Sequence, residues 1–241
     1  MLSIKNVTKR FSGIVAVNDC SFDVEEGTIC SLIGPNGAGK STLFNCVSRV
    51  YSIDSGNIFL NNKRIDNLAT HKIANLGVGR SFQLTRVLDE LSVTENLVLH
   101  TASGFNFHLL KRAVTKDDEV KAEQVMEFLG ISHLRHSSMK ELSYGQKKLL
   151  DLGSVLMADP SFILLDEPAA GVNPRLLETI LDRISLLKDQ GKTILLVEHN
   201  MEMVMGISDK VIVMAAGSII AEGKPSEIQS NKEVLEVYLT G

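Results

Sequence analysis

Residues 29–41 read ICSLIGPNGAGKS, and this stretch decides the fold. It begins as a short strand, and Gly34 to Ser41 then fit the pattern GxxxxGK[ST]. In this pattern glycines let backbone N–H groups close on phosphate oxygens, Lys40 reaches the outer phosphates, and Ser41 is placed to ligate Mg²⁺. Helical spacing continues to about residue 50. The stretch predicts a strand, a phosphate-binding loop and a helix, against the alternative of a plain glycine turn before a helix.

A second stretch supplies the carboxylates that phosphate chemistry needs. Residues 162–167, FILLDE, form a short apolar run that ends in Asp166 and Glu167. The first carboxylate can hold Mg²⁺ through water, and the second can polarise an attacking water molecule. An apolar strand that ends in Asp-Glu is common and is weak evidence by itself. Together with the phosphate-binding loop, it predicts a protein that binds MgATP and hydrolyses it.

The C-terminal half predicts an α/β fold with a mixed or parallel sheet. Three short continuous apolar runs suit parallel strands that helices cover on both faces. They are residues 162–165, 194–197 and 211–214. A helix from Pro174 to about Lys188, with Asn173 as N-cap, joins the first two runs into a βαβ unit. Gly223-Lys224-Pro225 begins a short helical tail.

The N-terminal part predicts an antiparallel β layer, and the middle of the chain predicts helices. Apolar and polar residues alternate at 3–11 and 20–24, and Asn61-Asn62 marks a hairpin turn. Helical spacing recurs at residues 70–76, 94–99, 117–129 and 144–157. We therefore expect one domain over residues 1–241, in which a helical subdomain, 84–158, is inserted into a nucleotide-binding core, 1–83 and 159–241.

The bulk composition excludes several classes of protein. The chain has 241 residues and a formal charge of −4, so it shows no basic footprint for nucleic acid. No apolar run approaches the ~20 residues that span a bilayer, and the alternating start predicts no signal peptide. The cysteines Cys20, Cys30 and Cys46 lack metal-ligand spacing, and we interpret them as reduced thiols of a cytosolic protein.

The segment Leu142-Ser143-Tyr144-Gly145-Gln146 precedes a predicted helix and predicts an anion site there, the alternative being a simple N-cap. In their order along the chain, GPNGAGKS, Gln83, LSYGQ, FILLDE and His199 resemble the ATP-binding subunits of ABC transporters. The resemblance covers nearly the whole chain, and its most diagnostic element is LSYGQ before the strand FILLDE. It implies the ABC ATPase fold, with ATP and Mg²⁺ as ligands.

The resemblance also implies a dimer that closes head to tail, with each ATP between the phosphate loop of one subunit and LSYGQ of the other. Glu167 would be the general base, His199 would orient the γ-phosphate and water, and Gln83 would touch Mg²⁺ and the attacking water. The implied metal ligands are Ser41, Gln83 and Asp166. The implied nucleotide contacts are Phe11, Val17, Asn36, Gly37, Ala38, Gly39, Lys40, Ser41, Thr42, Ser143, Gly145 and Gln146.

Several of these roles have a plain structural alternative. Phe11 matches the aromatic residue that stacks on adenine, but it also fits a buried strand position, and His199 also fits a structural role. Tyr144 replaces the usual second glycine of the signature, and Asn173 stands where many members have aspartate. Asn173 then serves mainly as a helix cap.

At a finer grain, GVGRSFQ, EPAAGVNP, VEHNMEMVMGISD and EVLEVYLTG resemble the branched-chain amino acid importer subunits. Importers of urea, short amides or other amino acids share much of this pattern. Two other classes stay open: a soluble ABC ATPase that acts on DNA or ribosomes, and a small-molecule kinase with a phosphate loop. The soluble ATPase fits less well because the chain shows no basic insertions. The kinase fits less well because LSYGQ, Glu167 and His199 serve hydrolysis.

The resemblance implies a peripheral subunit at the cytoplasmic face of the membrane. Its partners would be membrane permease subunits and a second ATP-binding subunit, identical or different, and a solute-binding protein would act only through the permeases. We expect the permease to dock beside Gln83, against residues 84–110. The apolar side chains proposed for that surface are Val87, Leu88, Leu91, Val93 and Phe105, unless they simply pack the helical subdomain.

Overall fold

The computed structural model describes residues 1–81, 88–101 and 115–240, with the backbone alone at 239 and 240. The strands in these ranges are β1 Leu2–Phe11, β2 Ile14–Val24, β3 Ile29–Ile33, β4 Ser55–Leu60, β5 Lys63–Arg64, β6 Val78–Arg80, β7 Phe162–Asp166, β8 Thr193–Val197, β9 Lys210–Ala215 and β10 Ser218–Gly223. The α-helices are α1 Lys40–Val47, α2 Thr70–Ala74, α3 Val93–Val98, α4 Lys116–Leu129, α5 Tyr144–Leu156, α6 Pro174–Asp189, α7 Met201–Ile207, α8 Pro225–Gln229 and α9 Lys232–Thr240. Within these ranges no helix has both the length and the apolar character needed to cross a membrane.

The larger sheet is mostly parallel and carries the strands predicted from the apolar runs. Its order is β10-β9-β3-β8-β7-β6, and β10 alone pairs antiparallel, at one edge. Every residue of β3, β7 and β8 is buried, as expected for strands with both faces covered. The parallel order brings the carboxyl ends of these three strands to one edge of the sheet. The mixed, mainly parallel sheet is confirmed.

The smaller sheet confirms the predicted antiparallel layer. Its order is β2-β1-β4-β5, with antiparallel pairing throughout. Asn61 and Asn62 form the turn between β4 and β5 with φ of 48° and 63°. Asparagine tolerates this left-handed region, so two successive asparagines suit a two-residue hairpin turn.

The βαβ unit β7-α6-β8 is also confirmed. The Asn173 side chain accepts a hydrogen bond from the Leu176 N–H at 3.0 Å and so caps α6, with proline at the first helical position. Ile180, Ile184 and Leu187 are buried at helical spacing. This stripe lays α6 against the sheet, and the two parallel strands pair directly.

The helices between β6 and β7 share a hydrophobic core with one face of the larger sheet. Leu97 of α3, Val125 of α4 and Leu150 of α5 lie in the same buried cluster as Ile163 of β7 and Leu196 of β8. Three predicted helices of this region therefore exist, with ends that differ by a few residues from the predicted ones. The helical segment packs as part of the protein's core.

The sequence patterns miss three elements of the larger sheet region. They are β6, α7 and β10. Strand β6 has only three residues, too few for a periodic signal, and α7 has seven. Strand β10 follows a tight turn at Ala216 and Gly217, where φ is 45° and 83°. Helix α1 is shorter than predicted, because it ends at Val47 and the helical spacing continues to about residue 50.

All three cysteines are buried free thiols. Burial raises the pKa of each one, to about 12 for Cys30 and Cys46. A thiol with a raised pKa stays protonated near neutral pH and is a poor nucleophile. The cysteines therefore act as small apolar side chains in the core.

Candidate functional site

The loop between β3 and α1 runs very close to neighbouring backbone, which requires glycine at two positions. A Cβ added at Gly34 would lie 2.1 Å from the Met214 carbonyl oxygen, and one at Gly39 would lie 2.3 Å from the Ala16 carbonyl oxygen. Both residues also have φ in the range that favours glycine, +148° and +101°. Gly34 and Gly39 are therefore required both by space and by backbone conformation.

Lys40 begins α1 and holds the loop from inside. Its buried Nζ donates to the carbonyl oxygens of Gly34 at 2.7 Å and Pro35 at 2.9 Å. Burial lowers the pKa of Lys40, while the charges of Glu167 and Asp166 act in the opposite direction. The ammonium group thus lies near both predicted carboxylates, and its two backbone contacts keep the loop curled around it.

A cleft of about 490 Å³ opens above this loop. Polar backbone and side-chain groups of the loop form its floor, and the β1–β2 hairpin and the β9–β10 turn form its walls. The cleft is lined by Ile14, Val15, Ala16, Asn36, Gly37, Ala38, Gly39, Lys40, Ser41, Thr42, Glu167, Ala216 and Gly217. All the loop residues predicted to contact nucleotide line this one cleft. The space fits a phosphate chain on a helix N-terminus.

Asp166 ends β7 as a buried carboxylate with one unpaired oxygen. Its Oδ1 has no hydrogen-bond partner among the described residues, and its Oδ2 lies 4.0 Å from the Arg80 guanidinium. Burial raises the pKa of Asp166; Arg80 opposes this effect and Glu167 adds to it. A buried, unpaired carboxylate oxygen is costly unless something binds it. Divalent cations prefer oxygen ligands, and a cation at this oxygen stays a prediction.

Glu167 follows in a strained backbone conformation. Its φ of 47° is in the left-handed region, which is unfavourable for a glutamate. Three hydrogen bonds hold it there: its N–H donates to the Val197 carbonyl at 2.9 Å, and its carbonyl accepts from the Ala170 N–H at 3.1 Å and from Lys148 Nζ at 3.3 Å. The side chain is about 29% exposed and lines the cleft above the phosphate loop.

His199 lies at the end of β8, beside Glu167. Its Nδ1 is 3.8 Å from Glu167 Oε1, and its side chain is 60% exposed toward solvent. The preceding residue, Glu198, is fully buried and accepts hydrogen bonds from the N–H groups of Ala169, His199 and Asn200. The structure therefore brings Lys40, Asp166, Glu167 and His199 together, as the sequence predicts.

The signature segment is a capped helix start, away from the phosphate loop. The Ser143 side chain accepts from the Gln146 N–H at 3.3 Å, and the Gln146 side chain accepts from the Ser143 N–H at 2.8 Å. This reciprocal capping box is the plain N-cap alternative, and it occupies the N–H groups of Ser143 and Gln146. An anion contact at Ser143, Gly145 or Gln146 stays a prediction.

A second cleft, of about 480 Å³, opens at this helix start. Tyr144 lies on it, with its hydroxyl donating to the Ala170 carbonyl at 3.2 Å and its ring over Gly171. Its lining residues are Ser143, Tyr144, Gly145, Gln146, Gly171, Val172, Asn173, Arg175, Leu176 and Thr179. It shares no residue with the cleft above the phosphate loop. Tyr144, which departs from the family pattern, therefore fastens the signature segment to the loop after β7.

The prediction for the adenine side needs one correction. Phe11 is exposed at the end of β1 and packs edge-on against Tyr51, with ring centroids 5.2 Å apart, so it is not a buried strand residue. Val17 is fully buried in the core below the smaller sheet and cannot touch a ligand. Ile14 and Val15, nearer the hairpin tip, line the cleft instead. A stacking contact of Phe11 with adenine stays a prediction.

The predicted docking surface is only partly described. Gln83, Val87 and Phe105 lie outside the described residues. Leu88 is 55% exposed, as a docking surface requires. Val93 is completely buried in the core of the helical segment, so its inclusion in that surface is wrong. It packs the helical segment instead, as the stated alternative predicts.

Sequence reasoning missed four residues of this site. Glu198 and Lys148 hold the loops that carry the predicted catalytic groups, Arg80 faces Asp166, and Tyr51 packs on Phe11. Glu198 offered a usable signal, because an acidic residue directly after a fully apolar strand must be paired when it is buried. Lys148, Arg80 and Tyr51 gave no usable sequence signal, because lysine, arginine and tyrosine are common on protein surfaces.

Comparison with known proteins places this geometry in a family. The family model described as ABC transporter matches residues 17–170, and that described as branched-chain amino acid ATP-binding cassette transporter matches residues 218–239. The probable branched-chain amino acid transport ATP-binding protein LivG of Archaeoglobus fulgidus is 41% identical over 245 residues, covering 99% of this chain and 95% of that protein. The high-affinity branched-chain amino acid transport ATP-binding protein BraF of Pseudomonas aeruginosa is 37% identical, covering 99% and 97%. A crystal structure of an ATP-binding cassette of an ABC transporter in its ADP conformation superimposes with a TM-score of 0.92, at 35% identity, covering 100% and 99%.

Proposed function

This chain belongs to the ATP-binding cassette family of ABC transporters, and from that premise we propose that it hydrolyses ATP to drive import of branched-chain or related amino acids through separate membrane permeases. The observation that carries the enzymatic part is the convergence of four charged or titratable side chains on one edge of the parallel sheet. They are Lys40, Asp166, Glu167 and His199. The cargo rests on the relatives named above.

Glu167 is the general base of the proposed reaction. It takes a proton from a water molecule whose oxygen attacks the γ-phosphorus, while the bond from that phosphorus to the β–γ bridging oxygen breaks and ADP leaves. His199, 3.8 Å from Glu167, donates to the γ-phosphate and orients the water. Lys40 stabilises charge that develops on the phosphate oxygens. Ser41, Asp166 and Gln83 would hold Mg²⁺, which would supply further charge neutralisation.

The two separate clefts favour a working dimer. In one chain, the signature cleft around Ser143 and the cleft above the phosphate loop share no lining residue, so the signature segment forms no part of the phosphate cleft of its own chain. A second subunit placed head to tail puts Ser143 and Gly145 on the γ-phosphate from across the interface. The partner is another copy of this chain or a related subunit.

The proposed working unit sits at the cytoplasmic face of the membrane, against permease subunits, with any solute-binding protein acting through them. Its single domain comprises a nucleotide-binding core, residues 1–83 and 159–241, and a helical subdomain, residues 84–158. The permease docks on the helical subdomain near the exposed Leu88. We expect no nucleic-acid partner, because a net charge of −4 gives the chain no excess of basic residues.

A transport assay tests the proposal. Deletion of the gene abolishes uptake of labelled leucine, the parental gene restores it, and the Glu167→Gln gene does not. Uptake of labelled urea in the same cells is the control for cargo. Unchanged leucine uptake after deletion contradicts the cargo, and full restoration by Glu167→Gln contradicts hydrolysis at this site as the energy source.

A further inference from the structure

Glu198 is a buried carboxylate at a junction of two loops. It follows the last residue of β8, and its side chain is 0% exposed. One oxygen, Oε1, accepts from the Ala169 N–H at 2.9 Å. The other, Oε2, accepts from the N–H groups of His199 at 3.0 Å and Asn200 at 3.4 Å. A single carboxylate thus binds the loop after β7 and the loop after β8.

These two loops carry the groups that the proposed reaction uses. Ala169 is two residues after Glu167, and His199 is itself bonded through its backbone. Burying a carboxylate costs free energy unless hydrogen bonds compensate. An apolar residue would fill this site without that cost, so a stabilising role alone does not require an acid here. The acid is the group that can accept from both loops at once.

Two side chains of α5 also hold the loop after β7. Lys148 donates to the Glu167 carbonyl at 3.3 Å, and the Tyr144 hydroxyl donates to the Ala170 carbonyl at 3.2 Å. Both come from α5, whereas Glu198 directly follows β8. With α5 fixing one side, Glu198 fixes the separation between the loop that bears Glu167 and the loop that bears His199.

We propose that Glu198 is a positioning residue for ATP hydrolysis, which sets the relative placement of Glu167 and His199 by bridging their loops. The inference rests on the proposed hydrolysis at this site. Glutamine cannot replace it, because an amide has one accepting oxygen and its NH₂ group would face the N–H donors of one loop. Glutamine therefore keeps the bridge to one loop and loses the other.

The test compares Glu198→Gln with the parent by steady-state ATP hydrolysis and nucleotide binding. We expect kcat to fall about 10- to 100-fold, because hydrogen bonds to a buried charge are lost, with Kd for ATP unchanged within about twofold. The matched control is Asp66→Asn, the same chemical change at a buried carboxylate that accepts from the Ile58 N–H in the smaller sheet. It should leave kcat of the folded protein unchanged.

A double-mutant cycle separates positioning from general stability. In single-turnover reactions followed over hours, Glu198→Gln should slow the His199→Ala variant by less than about twofold, because the group it positions is already gone. If Glu198→Gln does not fold, Glu198→Asp carries the test, since it keeps the charge and shortens the reach. A kcat within twofold of the parent, an equal loss in Asp66→Asn, or a full additional loss in the His199→Ala background overturns the inference. A parent that releases no phosphate overturns the proposed function instead.

Discussion

Replacing Lys40 by methionine removes the ammonium group from the phosphate loop and keeps most of the aliphatic stem. Lys40 Nζ uses two donors on the carbonyl oxygens of Gly34 and Pro35, at 2.7 Å and 2.9 Å. An ammonium group has three donors, so one remains for a phosphate oxygen. The variant therefore loses a charged contact with the nucleotide and two contacts within the loop.

The magnitudes of the two losses differ. A hydrogen bond to a charged group contributes about 1.5–3 kcal/mol, which corresponds to a Kd about 10- to 150-fold weaker for ATP. The fold loses less, because burial lowers the pKa of Lys40 and so disfavours the charged form, despite the nearby carboxylates of Glu167 and Asp166. Removing the buried ammonium group also removes the cost of burying its charge, and this offsets part of the free energy lost with the two loop contacts. We therefore expect the free energy of unfolding to change by about 1 kcal/mol or less.

Calorimetric titration of MgATP into the folded variant measures the first loss, and denaturant unfolding measures the second. Lys140→Met is the control, because Lys140 is an exposed lysine of the helical segment paired with Glu90. It should leave the affinity unchanged. A Lys40→Met variant that binds ATP within about threefold of the parent refutes the assignment of this loop as the phosphate site.

Three further predictions follow from spacing and charge. Gly34→Ala should prevent nucleotide binding and destabilise the fold, because its Cβ would lie 2.1 Å from a backbone carbonyl oxygen; binding and thermal unfolding are the measurements. Gly145→Ala should keep the fold and ATP binding but lower hydrolysis, since its Cβ meets only the flexible end of a leucine side chain while crowding the signature cleft; equal hydrolysis argues against that role. Asp66→Asn should lower the free energy of unfolding by about 1 kcal/mol at pH 7. Burial raises the pKa of Asp66, but hydrogen bonds from Arg64 and a backbone N–H outweigh this effect, so the folded pKa is lowered below the unfolded value of about 3.9. The difference in unfolding free energy between Asp66→Asn and the parent should therefore disappear as pH falls through the folded pKa, which acid unfolding measures.

The central architecture was predictable because its signals are local and strong. The buried strands β3, β7 and β8 are short apolar runs, Asn173 and Pro174 mark the start of α6, and the glycine pattern after β3 is typical of a phosphate-binding loop. Strand β6 was missed because it is three residues long and exists through its pairing with β7. Its stability comes from tertiary contacts that no window of sequence contains.

The candidate site was predictable as a set of side chains and less so as a geometry. Strand ends place Asp166, Glu167 and His199 at one sheet edge, which follows from parallel pairing. Sequence position could not show that Val17 faces the core, because irregular pairing between β1 and β2 shifts which residues face the cleft. Nor could it show that Glu198 bridges two loops far apart in sequence, since that contact depends on the folded positions of both.

Phosphate release from ATP by the purified chain, compared with that by Glu167→Gln, tests the account most directly. The structure gives Glu167 a strained backbone, a place in the phosphate cleft and a histidine 3.8 Å away, and a general base is worth about 10²–10⁴ in rate. We predict that the parent releases phosphate and that Glu167→Gln binds ATP with the parental affinity but releases phosphate at least about 100-fold more slowly. Release by Glu167→Gln at the parental rate would contradict the account.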